Sequence, residues 1–217
     1  MHKRIKITNF ILMALALLWL VYYDGHRTIV FKGITSAWFV VIGLINLIFR
    51  RHCGSRKMLI LMEIGLFLTA AADVILWNHF MMGAGIFALG HIFYFAAFSV
   101  MEPFRKGDWI PIGILAAVAL VFIFCTPFIH VEGIMAAVLV AYALIISCML
   151  GKDASNLRRK PSRLRWLLLI GGTMFWFSDL MLALSIFGDG GRLANALCVY
   201  SYWPGQLLLA HSMLYSE

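Results

Sequence analysis

Apolar residues fall in eight long runs, at positions 5–23, 29–49, 58–77, 81–101, 109–126, 131–150, 165–187 and 193–215. Each is close to the roughly 20 residues that a helix needs to cross about 30 Å of hydrocarbon. None alternates with the period of two that marks a half-buried strand. Lipid offers backbone groups no hydrogen bonds, so a spanning segment must satisfy its own, and a helix does this locally. The pattern predicts an all-α polytopic membrane protein, a bundle of eight transmembrane helices forming a single domain over residues 1–217. The first run follows Lys3, Arg4 and Lys6 but continues unbroken to Tyr23, so it is read as an uncleaved helix rather than a signal peptide.

Composition strengthens this reading. Apolar residues make up 63% of the 217 positions and charged residues 13%, against about 25% charged in ordinary soluble domains. The net charge is +8, but its placement excludes a nucleic-acid surface. The basic residues sit in short clusters between apolar runs, with no nucleic-acid motif among them. With the N-terminus inside, 15 of the 18 Lys and Arg fall in cytoplasmic segments and 3 (Arg27, Lys32 and Arg192) outside. That asymmetry predicts cytoplasmic N- and C-termini. The longest connection, residues 151–164, is expected to be a basic loop suited to anionic lipid headgroups. Cys53, Cys125, Cys148 and Cys198 show no CxxC and no metal-ligand spacing, so neither a disulfide nor a metal is expected.

With no soluble domain expected, function falls to polar residues inside the apolar runs, where ionisable groups are costly. Asp73, His91 and Asp179 lie inside runs three, four and seven, with Lys32 at the start of run two. At the helical rise, Asp73 lies roughly 6 Å, His91 and Asp179 roughly 12 Å and Tyr202 roughly 14 Å below the outer face. Shared depth permits a common site. Glu63 and His211 fall near the cytoplasmic ends, where snorkelling suffices. Polar glue between helices is the plainer role for the two aspartates, but Asn or Ser would fill it without a charge. His91 alone reads equally as a core histidine or a catalytic one; Gly90 beside it allows close helix approach and Tyr94 shares its face. Pro204-Gly205 is expected to break the last helix between Tyr202 and Gln206. Gly171-Gly172 either loosens helix seven or packs it tightly. No GxSxG, HExxH or phosphate-binding loop occurs. One histidine at membrane depth falls short of a zinc site. No cofactor is expected.

Six short motifs stand out: Phe31-Lys32-Gly33, the stretch Gly65 to Leu76 around Asp73, Gly90-His91-Ile92-Phe93-Tyr94, Val140-Ala141-Tyr142-Ala143-Leu144, Ser178-Asp179, and Tyr202-Trp203-Pro204-Gly205-Gln206. Together they resemble those of the lysoplasmalogenase family, the YhhN-like multi-pass membrane proteins. Gly33 replaces the family's proline, Ala72 its usual glycine, and Pro204-Gly205 interrupts the last motif. The resemblance implies an enzyme that cleaves the vinyl-ether bond of lysoplasmalogens to a fatty aldehyde and glycerophosphoethanolamine or glycerophosphocholine. Such a reaction calls for one protonated carboxyl group and one carboxylate facing an oxocarbenium ion, the division of labour known from glycosidases. Asp73 and Asp179 are the candidates for these roles, without an assignment between them. His91 is expected to orient water or relay the proton. Lys32 is expected to meet the substrate phosphate, and Tyr94, Tyr142, Tyr202 and Gln206 to position the substrate. The expected partner is a lysophospholipid in the bilayer, and the expected location a bacterial cytoplasmic membrane. The competing readings are a proton-coupled lipid or small-molecule transporter built on the same buried aspartates, and a lipid-binding protein without turnover.

Overall fold

The computed structural model describes residues 2–50, 56–125 and 129–216. Cys53 and Arg51 of the second connection, the expected end of the fifth run at Thr126, and Glu217 lie outside the described residues. The described residues form eight α-helices: α1 (His2–Gly25), α2 (Ile29–Phe49), α3 (Arg56–Leu76), α4 (Phe80–Met101), α5 (Trp109–Cys125), α6 (Gly133–Arg159), α7 (Arg163–Phe187) and α8 (Gly191–Ser212). No strand occurs among the described residues; a single backbone bridge joins Ile129 to Gly188.

Side-chain caps set two of the starts. Thr28 accepts from the Phe31 amide at 3.2 Å at the head of α2, and Ser162 accepts from the Arg165 amide at 3.3 Å at the head of α7. Each satisfies one of the amides that a helix start leaves without a partner.

The helices divide into a shell and a core. α1 lies against α2 and α8, and α5 against α6 and α7. Both turn large apolar side chains outward: Phe10, Leu18 and Val21 on α1, and Ile110, Ile114 and Val121 on α5. Helices α2, α3, α4, α6, α7 and α8 enclose the interior, with the most extensive pairings between α7 and α8 and between α3 and α4. Seven helices among the described residues are long and apolar enough to cross a membrane; α8 is the exception. It carries Asn195, Tyr202, Gln206 and His211, the last three buried. A helix surrounded by other helices takes its partners from protein, so polarity costs it less than it would in lipid.

Three expectations are corrected here. First, α8 is helical straight through Pro204. The glycine beside it serves a close crossing, since a Cβ on Gly205 would lie 2.9 Å from the Gly171 carbonyl oxygen, and one on Gly171 would lie 2.8 Å from that of Gly205. Gly171 is therefore a packing glycine, not a point of loosening.

Second, the expected loop at 151–164 is mostly helix, because α6 runs on to Arg159. Its polar side chains find protein partners. Lys152 Nζ donates to Asp108 Oδ2 at 3.1 Å and to the Pro103 carbonyl at 3.2 Å, and Asn156 Nδ2 donates to the Phe98 carbonyl at 2.8 Å. Arg159 pairs with the same Asp108. Arg165 donates to the Asn156 carbonyl at 2.6 Å and to Glu102 Oε1 at 2.8 Å. Lys152, Arg159 and Arg165 thus clamp helix ends to one another, while Arg158, Lys160 and Arg163 of the same stretch are exposed.

Third, Glu63 and His211 do not snorkel. The Glu63 carboxyl faces Gly43 of α2, with Oε2 buried and without a hydrogen-bond partner among the described residues. His211 is 3% exposed, with Nδ1 at 3.3 Å from Asn9 Oδ1.

Candidate functional site

Helical spacing aims one stripe of each inner helix at a shared interior. On α2 the stripe includes Lys32 and Ser36, on α3 Thr69 and Asp73, on α4 Phe87, His91 and Tyr94, on α7 Phe175, Ser178 and Asp179, and on α8 Asn195, Cys198 and Tyr202. A cavity of about 260 Å³ opens between them, lined by Lys32, Asp73, Phe87, Asp179, Cys198 and Tyr202 among others. Both aspartates reach it.

Asp73, 3% exposed, is held by hydroxyls. Oδ2 accepts from Ser36 Oγ at 2.5 Å and from Tyr202 OH at 2.8 Å. Lys32 Nζ stands 3.8 Å from Oδ1. Ser36 is itself oriented by Trp203, whose Nε1 donates to Ser36 Oγ at 3.1 Å. An O–H and an N–H donor thus form a chain that ends on the carboxylate, an arrangement that complements negative charge.

Asp179 belongs to a second network. Its Oδ2 accepts from Tyr142 OH at 2.9 Å, and Tyr142 OH is 3.0 Å from His91 Nε2. His91 Nε2 lies 3.5 Å from the same Asp179 oxygen, while its Nδ1 faces Met149 Sδ at 3.4 Å. Phe175 stands between the two networks, with ring centroids 4.6 Å from His91 and 5.1 Å from Tyr202. The cavity is thus a slot with two differently supported carboxyl groups and an aromatic partition behind them.

Its two ends differ in character. One carries Arg27, Lys32 and Asn195. There Arg27 pairs with Asp24 and donates to Asn195 Oδ1 at 3.1 Å, and Asp24 also accepts from Tyr200 OH at 3.0 Å. The other end adjoins a pocket of about 50 Å³ that shares Leu76, Phe87, Asp179 and Leu182 with the main cavity. Its remaining lining is almost wholly apolar, from Phe80 and Ala84 on α4, Val138 and Leu139 on α6, and Ile186 on α7.

The expected site residues sort clearly. Lys32, Asp73, Asp179 and Tyr202 line the main cavity, and Tyr142 and Asp179 the apolar pocket. His91 is fully buried behind Tyr142 and lines neither. Tyr94 and Gln206 also stand apart: Tyr94 OH donates to Gln206 Oε1 at 2.9 Å in the core, and neither side chain lines either cavity. Ser36, Arg27 and Trp203 were not expected at the site. Ser36 had a signal, since it follows Lys32 by four residues on one helix face; Arg27 and Trp203 had none. Among the described residues no group of three or more His, Cys, Asp and Glu is placed to hold a metal ion.

Fold and site define a class: an integral, multi-pass helical membrane protein with a polar, aspartate-lined cavity buried in its bundle. The chain belongs to the YhhN family, whose model matches residues 27–213. It is 29% identical over 161 residues to the bovine (Bos taurus) lysoplasmalogenase TMEM86A, a match that covers 71% of this chain. The match spans 65% of the length of the bovine protein. No solved structure matches.

Proposed function

We propose that the protein is a lysoplasmalogenase-type hydrolase, cleaving the vinyl-ether bond of 1-alkenyl-lysophospholipids. The observation that carries the reading is the meeting of Asp73 and Asp179 in one cavity that is cationic at one end and apolar at the other. A lysophospholipid has that polarity: a phosphate headgroup, a glycerol and one hydrocarbon chain. The named activity of the bovine relative agrees with it.

In this scheme Lys32 and Arg27 meet the phosphate, and the alkenyl chain enters the pocket beside Phe80 and Leu182. That pocket reaches the surface at Ile186, which is 45% exposed, so the rest of the chain runs out towards lipid. Asp179 gives its proton to the outer alkene carbon, and the bond electrons leave an oxocarbenium ion at the ether carbon. Asp73, faced by Ser36, Tyr202 and Lys32, is the carboxylate that stabilises this cation. It then takes a proton from the attacking water. The ionised Asp179 then takes the hydroxyl proton of the hemiacetal while the protonated Asp73 gives its proton to the glycerol oxygen, and the C–O bond breaks to release aldehyde and alcohol. One water is consumed and no net proton, so the carboxyl groups return to their starting states. Positioned acid–base groups of this kind contribute about 10²–10⁴-fold each. Tyr94 and Gln206 act from behind, by fixing α4 against α8.

The same reading places eight spans in the membrane, with both termini cytoplasmic and the mouth at Arg27 and Lys32 on the outer side. The charge asymmetry of the connections supports that orientation.

The test is aldehyde release from 1-alkenyl-lysophosphatidylethanolamine by purified protein in detergent, beside Asp73→Asn and Asp179→Asn. Release by the parent protein and by neither variant is the expected result. Absence of release from folded protein with both ethanolamine and choline headgroups overturns the reading.

A further inference from the structure

The His91–Met149 contact has no place in the chemistry above, although both side chains are fully buried. Its meaning follows from counting hydrogens. Tyr142 has one hydroxyl hydrogen, and its oxygen lies within hydrogen-bond distance of both Asp179 Oδ2 and His91 Nε2. A thioether sulfur accepts and never donates. The 3.4 Å contact from His91 Nδ1 to Met149 Sδ is therefore a hydrogen bond only when Nδ1 carries hydrogen.

With that hydrogen fixed, two arrangements satisfy every group. In one, Asp179 is protonated and donates to Tyr142, and Tyr142 donates to a bare Nε2. In the other, Nε2 carries the proton and donates to Tyr142, and Tyr142 donates to the Asp179 carboxylate. They interconvert by two short transfers: Nε2–H to the tyrosine oxygen, and the tyrosine O–H to Asp179. The opposite tautomer, hydrogen on Nε2 and none on Nδ1, leaves Asp179 ionised with no proton to give and turns a lone pair on the sulfur. The titratable groups facing His91 are Tyr142 from α6, Asp179 from α7 and Tyr94 of its own helix.

We propose that Met149 is a positioning residue whose sulfur holds the hydrogen on Nδ1 of His91, making Nε2 the exchanging end of a proton relay through Tyr142 to Asp179. The inference rests on the hydrolase reading for its purpose and on geometry alone for the tautomer. It also recasts His91: the ring stores and returns a proton without touching substrate.

The decisive measurement is ¹⁵N NMR of histidine-labelled protein in detergent, with His91→Gln identifying the His91 signals. The parent protein is expected to show a protonated Nδ1, and Met149→Leu, which keeps bulk and removes the acceptor, to move the hydrogen to Nε2. Met149→Gln, which returns an acceptor oxygen at similar reach, is expected to restore Nδ1–H. In aldehyde release, Met149→Leu is expected to lower kcat about fivefold, the factor one ordinary hydrogen bond supplies, with KM unchanged and the Gln variant recovering. A bare Nδ1 in the parent protein, or an unchanged tautomer in Met149→Leu, overturns the proposal. A protein without aldehyde release but with the expected tautomers refutes the hydrolase reading and leaves the Met149 assignment standing.

Discussion

Asp73 and Asp179 reach the same cavity from α3 and α7 on separate supports: hydroxyls of Ser36 and Tyr202 hold the first, and Tyr142 holds the second. Two carboxyl groups in one slot with separate support are suited to different protonation states, which acid–base chemistry requires. Asn at either position is expected to keep the fold and lower aldehyde release by about 10²–10⁴-fold. Initial rates and thermal melts on the same preparations separate loss of chemistry from loss of structure.

Lys32 stands at the cationic end, 3.8 Å from Asp73. Replacing it with Met keeps the stem and removes the charge. KM for a lysophospholipid is expected to rise about tenfold, the loss of one charge-assisted hydrogen bond. A 1-alkenylglycerol without phosphate should show no such rise, and comparing the two substrates checks the assignment.

Ser36 is a link, accepting from Trp203 and donating to Asp73. Ser36→Ala leaves the buried indole N–H without its acceptor and Asp73 with one hydroxyl fewer. Stability should drop by about 1–3 kcal/mol, and kcat by about tenfold. Chemical denaturation and steady-state kinetics read the two effects.

Much of this was legible in the chain. Hydropathy gave the number of helices, the helical rise set Lys32, Asp73, Asp179 and Tyr202 at shared depth, and the family resemblance added Tyr142; all five line the cavities. Hydropathy failed where a helix meets protein rather than lipid. Lys152 and Asn156 are too polar to extend an apolar run, yet Asp108 and the Phe98 carbonyl receive them inside the bundle. Pro204 read as a break because sequence alone does not show that Gly205 beside it seats against Gly171. Trp203 and Arg27 were missed for a related reason: their partners lie far away in the chain, Ser36 for one and Asn195 for the other.

The Gly171–Gly205 crossing sets the distance between α7, which carries Asp179, and α8, which carries Tyr202. Gly171→Ala would put a Cβ 2.8 Å from the Gly205 carbonyl oxygen, an overpacking expected to cost about 1–3 kcal/mol. Gly113→Ala on α5, where a Cβ meets nothing within 4 Å, should be neutral or stabilise by up to about 1 kcal/mol. Melting temperatures of the two variants provide the comparison.

The hydrogen bond from Arg165 holds the Glu102 carboxyl below its ordinary value of 4.5. A depressed folded value means that the stabilisation is fully present above the ordinary value and is lost as pH falls through the folded one. Thermal stability of the parent protein should therefore begin to lose this contribution only below about pH 4.5. Arg165→Gln is expected to lower stability at neutral pH and to flatten that part of the acid decline, as melts between pH 3 and pH 7 would show.

The polarity of α8 bears on how the protein holds together. A helix carrying Tyr202, Gln206 and His211 gains little from meeting lipid by itself, and much from meeting Asp73, Tyr94 and Asn9. Packing against the other helices, rather than hydropathy, therefore sets its place in the fold. The helix that completes the hydrogen-bonding of Asp73 is the one with the least to gain from lipid, so the carboxyl has its full set of partners only where α8 is packed against α2 and α3.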